Sequence, residues 1–201
     1  MAKKHGKSVL DRRKKPRQQR SVATVDSIIE AAARILESQG YEGLSTNSVA
    51  QRAGISIGSL YQYFPNKASI IRALIDREAE RLLEGIRRAQ DDDWRVMLDQ
   101  LIEVAVHHQL RRPALARALD LEEARLPASR KYRSAGIQTI RQFQKCLSRV
   151  NGMTPEELPV ILADVLSIIR AIKDSAGNLP GDSEATIYAR VRRAVHGYLS
   201  F

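Results

Sequence analysis

Small and polar side chains share one face of a short predicted helix in the segment 54–67. At about 100° per residue, Leu60 and Phe64 point to one side of this helix, and Gly58, Ser59 and Gln62 point to the other. A hydroxyl and an amide can exchange hydrogen bonds with base edges in a major groove, and a glycine permits close approach. This face is therefore suited to reading DNA. The alternative is a surface turn between two packed helices.

Groups that suit phosphate oxygens border this face. Tyr61 lies at one edge and Tyr63 at the other, and tyrosine hydroxyls are common phosphate partners. Gly58 costs about 0.5–1 kcal/mol relative to alanine inside a helix, so a need for close approach would explain it. Lys67 follows Asn66, a predicted N-cap, and a cation at that helix end costs about 0.3–1 kcal/mol. A nearby phosphate would offset this cost, whereas a freely solvated lysine is the alternative.

Three helices must position these side chains. Apolar residues recur at three- and four-residue spacing over 22–38, which predicts an amphipathic helix that ends at Gly40. Ser45 can cap a second helix, and Gly54 ends it in the left-handed conformation. Ser56 can then cap the short helix only about two residues later. Such a short turn makes the two helices cross steeply, as in a helix-turn-helix.

The sequence between Ile28 and Ile71 contains several features of one known family. An A-A-x-x-x-aliphatic pattern precedes a glycine, and the run A-G-I-S-I-G-S-L-Y-Q-Y-F is followed by N-K. These features resemble the N-terminal domain of the tetracycline-repressor (TetR/AcrR) family of bacterial regulators, and they cover only the first third of the chain. The resemblance implies an all-helical homodimeric repressor of a palindromic operator on double-stranded DNA. It also implies a C-terminal domain whose small-molecule effector loosens DNA binding, although that domain diverges too widely to identify the effector.

The resemblance also assigns roles by position. It implies phosphate contacts for Thr46 and Asn47, at the start of the second helix, and for Tyr61, Tyr63 and Lys67. It implies base-facing positions for Ile57, Gly58, Ser59 and Gln62. Because no arginine stands on this face, the commonest contact to guanine is missing from it. We therefore expect contacts with thymine methyl groups and readout of DNA shape.

The positive charge of the chain is concentrated at its N-terminus. Residues 1–20 hold nine basic side chains and one acidic side chain, a net charge of +8 out of a total of +10. The segment is too poor in apolar residues to fold alone, and it lacks the apolar region of a secretory signal. We expect a basic disordered arm that contacts phosphates or a minor groove. A targeting role, a membrane-surface role and a free solvated tail are the alternatives.

The chain beyond the arm predicts an all-α fold with two domains. Residues 21–66 form the helix-turn-helix DNA-binding domain, and 67–201 form a helical ligand-binding and dimerisation domain. Predicted helices of the second domain cover 67–89, 94–111, 114–126, 128–150, 155–176 and 183–199. Thr154 and Glu157 form a capping box before the fifth of these. Pro159 conflicts with that start, so this helix either begins near residue 158 or has a distorted first turn.

Aliphatic stripes on the last two helices predict a dimer interface. Two such helices from each subunit would form a four-helix bundle around a symmetry axis. The predicted interface residues are Val165, Ile168, Ile169, Ile172, Val191, Val195 and Tyr198. The alternative is that both stripes pack within one monomer.

The middle helices supply candidates for an effector pocket, although most should belong to the core. The candidates are Trp94, Met97, Leu101, His107, His108, Tyr132 and Phe143. The two adjacent histidines point about 100° apart on a helix, which does not suit zinc. The single cysteine, Cys146, fits a reducing cytoplasm. We predict no catalytic residue, metal or cofactor, and the sequence shows no transmembrane stretch.

Two hypotheses about function remain. The first is a cytoplasmic, ligand-responsive DNA-binding repressor. The second is a helical nucleic-acid-binding or architectural protein that acts mainly through its basic arm and has no effector. A short palindromic footprint would favour the first hypothesis, and uniform coating of DNA would favour the second.

Overall fold

The computed structural model describes residues 19–176 and 181–200. Within these ranges the chain forms helices and no strand: α1 Gln19–Gly43, α2 Thr46–Ala53, α3 Ile57–Tyr63, α4 Lys67–Arg88, α5 Trp94–Leu110, α6 Pro113–Arg125, α7 Arg130–Leu147, α8 Leu158–Asp174 and α9 Glu184–Tyr198. The predicted all-α fold class is confirmed. The basic arm lies outside the described residues, except for Gln19 and Arg20 at the start of α1.

The first compact unit contains α1, α2, α3, the beginning of α4 and residues 114–129. α1 begins three residues before the predicted start, and Gly40 interrupts it with φ 64° and ψ −165°. The regular helix therefore ends where the sequence predicts, and a short second piece continues to Gly43. Apolar side chains from α1, α3 and α4 fill the core of this unit, and among the most fully buried are Ile28, Ile35, Leu60, Phe64, Ile70 and Leu74.

The second compact unit contains the rest of α4 together with α5, α7, α8 and α9. α5 contacts α7, α8 and α9, so it lies at the centre of this unit. Its core includes Met97, Leu98, Leu101, Phe143, Val165 and Val191. The boundary between the two units falls inside α4, after Glu78, and not at residue 66. The predicted boundary at residue 66, which divides the DNA-binding domain from the ligand-binding and dimerisation domain, stays a prediction.

The helix boundaries in the second half match the predicted ones within three residues, and the start of α8 decides between two predicted alternatives. This helix begins at Leu158 and not at 155, which confirms the first of the two alternatives that Pro159 raises. The Glu157 amide donates to Thr154 Oγ1 at 3.3 Å, and the Thr154 amide donates to Glu157 Oε2 at 3.2 Å. This capping box closes a separate turn ahead of the helix. Pro159 occupies the second helical position, where its missing N–H needs no partner.

Candidate nucleic-acid interface

A glycine-dependent turn joins α2 to α3. Gly54 has φ 67° and ψ 32°, the left-handed conformation that the sequence predicts. The Gly54 amide donates to the Gln51 carbonyl at 3.2 Å, and the Ile55 amide donates to the Ala50 carbonyl at 3.1 Å. These two bonds form a Schellman motif, which satisfies the last carbonyls of α2. The Ser59 amide donates to Ser56 Oγ at 3.1 Å, which confirms the predicted cap of α3.

The start of α2 is fixed in the same local way. Ser45 Oγ accepts from the Ser48 amide at 3.0 Å, and the Ser45 amide donates to Ser48 Oγ at 2.9 Å. The first helical residues, Thr46 and Asn47, therefore stand at a helix N-terminus, where backbone amides and the helix dipole favour anions. Thr46 Oγ1 and Tyr61 Oη share a hydrogen bond of 3.1 Å. The structure thus brings two predicted phosphate contacts together, one from each helix.

α3 turns one face inward and leaves the other open. Leu60 and Phe64 are fully buried, as the helical geometry predicts. On the open side, Ile57 is 38% exposed and Tyr61 is 41% exposed, and Gly58 and Gln62 are also exposed. A Cβ added at Gly58 would meet only Ser56 Oγ, at 3.9 Å. Packing within the chain therefore gives no reason for glycine at this position.

Two predicted contact residues are less open than the others. Ser59 is half-buried, and its Oγ lies 2.8 Å from Ser56 Oγ in a hydrogen bond within the cap. Tyr63 is only 8% exposed, because it lies close to the Leu60 side of the helix and packs into the first unit. Its predicted phosphate contact would have to use the little surface that remains.

Lys67 has partners that the sequence does not reveal. Asn66 Oδ1 accepts from the Ser69 amide at 2.9 Å, so Asn66 does cap α4. Lys67 Nζ donates to the Tyr41 carbonyl at 2.7 Å and lies 3.3 Å from the centroid of the Tyr41 ring. Partial burial lowers the pKa of Lys67, and the charges of Glu42 and Glu122 oppose this shift. The Tyr41 carbonyl and ring thus hold the lysine beside the end of α1, close to the surface predicted to face DNA.

The second unit contains a cavity of about 600 Å³ between α4, α5 and the first residue of α9. Its lining residues are Arg81, Leu82, Glu84, Gly85, Arg88, Ala89, Gln100, Glu103, Val104, His107, His108, Arg111 and Glu184. A Cβ at Gly85 would lie 2.6 Å from Val104 Cγ1, so α4 and α5 pass closely at this point. His107 Nδ1 and Glu184 Oε1 form a hydrogen bond of 2.8 Å at the α9 end.

Only two of the predicted pocket residues, His107 and His108, line this cavity. Trp94, Met97, Leu101 and Phe143 are buried in the core, and Tyr132 lies half-buried on α7. The predicted pocket residues do not include the charged side chains of the cavity wall, among them Arg81, Glu84, Arg88, Glu103 and Arg111. Arg81, Glu84 and Arg88 recur at spacings of three and four residues along α4, and Glu103 and Arg111 lie eight residues apart. These spacings were the available signal, but solvated helix faces show the same pattern.

The described residues contain no group of three or more His, Cys, Asp or Glu side chains that could hold a metal ion. Cys146 is buried, and its Sγ donates to the Trp94 carbonyl at 3.2 Å. Burial raises the pKa of this thiol to about 12, so the reactive thiolate is disfavoured. In the part of the chain that the structure describes, no helix is long and apolar enough to cross a membrane.

The two aliphatic stripes predicted at the dimer interface pack α8 against α9 within one chain. Four of the predicted interface residues, Val165, Ile169, Val191 and Val195, are buried in the core of the second unit. They have almost no surface left to offer a partner. Ile168, Ile172 and Tyr198 remain half-buried. The outward face of α8 instead carries Val160, which is 62% exposed, together with small exposed residues, namely Ala163, Ser167 and Ala171.

Two family models match the chain. The model described as "Bacterial regulatory proteins, tetR family" matches residues 28–74, which include α2, α3 and the start of α4. The model described as "Tetracyclin repressor-like, C-terminal domain" matches residues 93–199, just over half of the chain.

Similar proteins include two curated repressors and a solved regulator. The transcriptional repressor DrrR1 of Streptomyces coeruleorubidus is 34% identical over 46% of this chain and 34% of its own length. The class A tetracycline repressor from transposon 1721 of Escherichia coli is 38% identical over 36% of this chain and 34% of its own length. The chain thus spans about a third of the length of these relatives. The fatty acid degradation regulator FadR from Bacillus halodurans superposes with a TM-score of 0.72 at 18% identity, covering 90% of this chain and 96% of its own, a likeness that shows the fold.

Proposed function

Because the chain belongs to the TetR family of bacterial regulatory proteins, we propose that it is a DNA-binding transcriptional repressor that acts in the cytoplasm on a palindromic operator. The exposed face of α3 carries this proposal. Gly58 costs helix stability and meets no packing constraint, since a Cβ there would have only one neighbour within 4 Å, at 3.9 Å. Close approach of a base edge accounts for that glycine.

The proposed contacts with DNA are of two kinds: contacts with phosphates, which position the protein, and contacts with base edges, which recognise the sequence. Thr46 and Tyr61 share a hydrogen bond, so together they present two hydroxyls to one phosphate, beside the amides of Thr46 and Asn47 at the start of α2. Lys67 and Tyr63 make further contacts with the phosphate backbone of the DNA. Gln62 reads a base edge, Ile57 contacts thymine methyl groups, and Gly58 and Ser59 permit the approach.

The repressor acts as a homodimer, because a palindromic site needs two copies of α3 related by a two-fold axis. We assign the contact between subunits to the outward face of α8, which carries Val160, Ala163, Ser167 and Ala171, with Ile168, Ile172 and Tyr198 at its border. Small side chains on this face allow close approach of a second helix. The buried residues of the two stripes pack beneath this face, in the core of the second unit.

A small-molecule effector occupies the cavity of the second unit and weakens operator binding. The volume of about 600 Å³ lies within the range of about 300–1,000 Å³ that is usual for ligand sites. The apolar lining of Leu82, Ala89 and Val104 suits a hydrophobic body, and the charged walls suit polar ends. We expect native mass spectrometry to detect a ligand retained by the purified protein. Leu82→Trp, which fills the cavity, should remove it, whereas Val96→Trp on the exposed side of α5 should not.

Footprinting against genomic DNA of the source organism tests the main proposal. A protected palindrome with half-sites about one helical turn apart is expected for two copies of α3. Uniform protection of all fragments would contradict the repressor and favour a nonspecific architectural protein.

Deletion of residues 1–20 tests the proposed DNA contact of the basic arm. If three arm cations per subunit contact phosphates, the slope of log K against log salt should become shallower by about five units.

A further inference from the structure

α7 presents an outward face that combines arginines with exposed isoleucines. Ala135, Phe143 and Cys146 point into the second unit, and Ile137 points to the opposite side at about 100° per residue. Ile137 is 52% exposed and Ile140 is 44% exposed. The same side carries exposed polar residues, namely Arg130, Arg133, Arg141 and Gln144. We call these six residues the α7 face.

The charge around this face is of one sign. Residues 130–155 contain six basic side chains and no acidic one. The net charge of residues 21–201 is +2, so the part of the chain that lies outside both this segment and the arm has a net charge of −4. The positive charge is therefore local to α7 and the turn that follows it.

The basic residues on the flanks of α7 have partners within the second unit. Lys131 Nζ lies 2.7 Å from Glu80 Oε1, Lys145 Nζ donates to Gln90 Oε1 at 3.0 Å, and Arg149 Nη1 donates to the Asp91 carbonyl at 2.7 Å. In contrast, the exposed side chains of Arg130 and Arg141 make no hydrogen bond or ion pair with another described residue. Their guanidinium groups are available to an external carboxylate.

We propose that the α7 face binds an acidic amphipathic helix of another protein. Guanidinium groups pair with carboxylates through two parallel hydrogen bonds, and aliphatic side chains at the centre of an interface supply the apolar anchor. The face runs from Arg130 to Gln144, about 21 Å at 1.5 Å per residue. A partner helix of about four turns would cover it, with aliphatic residues against Ile137 and Ile140 and acidic residues on either side.

Other occupants fit this face less well. A second copy of the same face would bring arginines against arginines across a two-fold axis. A lipid surface needs a broad apolar face, whereas only two isoleucines are exposed here. Nucleic acid would pair with the arginines but has no use for Ile137 and Ile140 at the centre of the face.

The test uses the full-length protein and a synthetic fluorescent peptide of about four helical turns, with a leucine stripe flanked by glutamates. We expect saturable binding by anisotropy that weakens several-fold between about 50 and 200 mM salt. The double variant Arg130→Glu, Arg141→Glu and the single variant Ile137→Ser should each bind about tenfold more weakly. Matched controls are the double variant Arg117→Glu, Arg170→Glu, which makes the same change in net charge, and Val96→Ser, another exposed aliphatic residue. Both controls should bind like the parent.

Several results would overturn the proposal. They are equal binding by the face variants and the controls, equal binding of a peptide with lysines in place of the glutamates, and absence of saturable binding. Anionic phosphatidylglycerol vesicles or random duplex DNA that bind more tightly than the peptide, with the same sensitivity to Ile137→Ser, would assign the face to a membrane or to nucleic acid instead. Circular dichroism and operator binding serve as folding controls, and Arg141→Gln provides a milder variant if the double reversal perturbs the helix.

Discussion

The DNA-facing helices and the cavity of the second unit are built in different ways. The Gly54 turn and the caps at Ser45 and Ser56 use hydrogen bonds between residues no more than five positions apart. The cavity is lined by residues that lie up to about a hundred positions apart, from Arg81 to Glu184. A site built from local bonds can be located from sequence, whereas a site built by packing cannot.

The largest expected effect comes from comparing a charge placed in the core of the second unit with the same charge placed on its proposed dimer interface. Val195→Asp would bury a charge without a partner in the core. We therefore expect the free energy of unfolding to fall by several kcal/mol, so that the protein unfolds. Val160→Asp places the same charge on the outward face of α8, where the monomer should tolerate it and the dimer should dissociate. Sedimentation and thermal melting distinguish the two outcomes. A dimeric Val160→Asp would remove this face from the interface.

The next prediction tests whether different residues of α3 supply sequence discrimination and overall affinity for DNA. Gln62→Ala should reduce discrimination between operator variants by about 1–3 kcal/mol if the amide reads a base edge. Tyr61→Phe removes the hydroxyl that bonds to Thr46, so it should weaken all DNA sequences to a similar degree. Titrations against an operator, a one-base variant and random DNA measure both effects. An even loss in both proteins would contradict the assignment of Gln62.

The sequence located the helices and the glycine turn because each depends on signals a few residues apart. Ser45, Gly54, Ser56 and Asn66 all have the capping or turn geometry expected of them. It did not locate the Tyr41 contact of Lys67, which joins residues 26 positions apart. Nor did the stripes on α8 and α9 show which partner covers them, since burial within a monomer and burial in a dimer require the same apolar residues.

A smaller effect should follow from the titration of Cys146 in the core. Burial raises its pKa to about 12 in the folded protein from 9.0 for an exposed thiol, so the unfolded thiol loses its proton first as pH rises. The stability that this group contributes is complete below pH 9 and decreases between about pH 9 and 12, by about 1 kcal/mol at pH 10. Cys146→Ala should show a shallower loss of stability over this range in denaturant titrations. An identical slope in the two proteins would mean that the thiol does not titrate on unfolding.

The smallest effect on stability, at Gly58, gives the sharpest test of the reading face. Gly58→Ala should stabilise the fold by about 0.5–1 kcal/mol, because alanine favours a helix and its Cβ meets only Ser56 Oγ at 3.9 Å. Gly136→Ala on α7 is a matched control, since a Cβ there has no neighbour within 4 Å. Both variants should melt at a higher temperature, but only Gly58→Ala should bind its operator more weakly, because the added methyl group would stand between α3 and the base edges. If Gly58→Ala retains full operator affinity, the bases do not approach that position, and the glycine has no role that either the fold or the DNA explains.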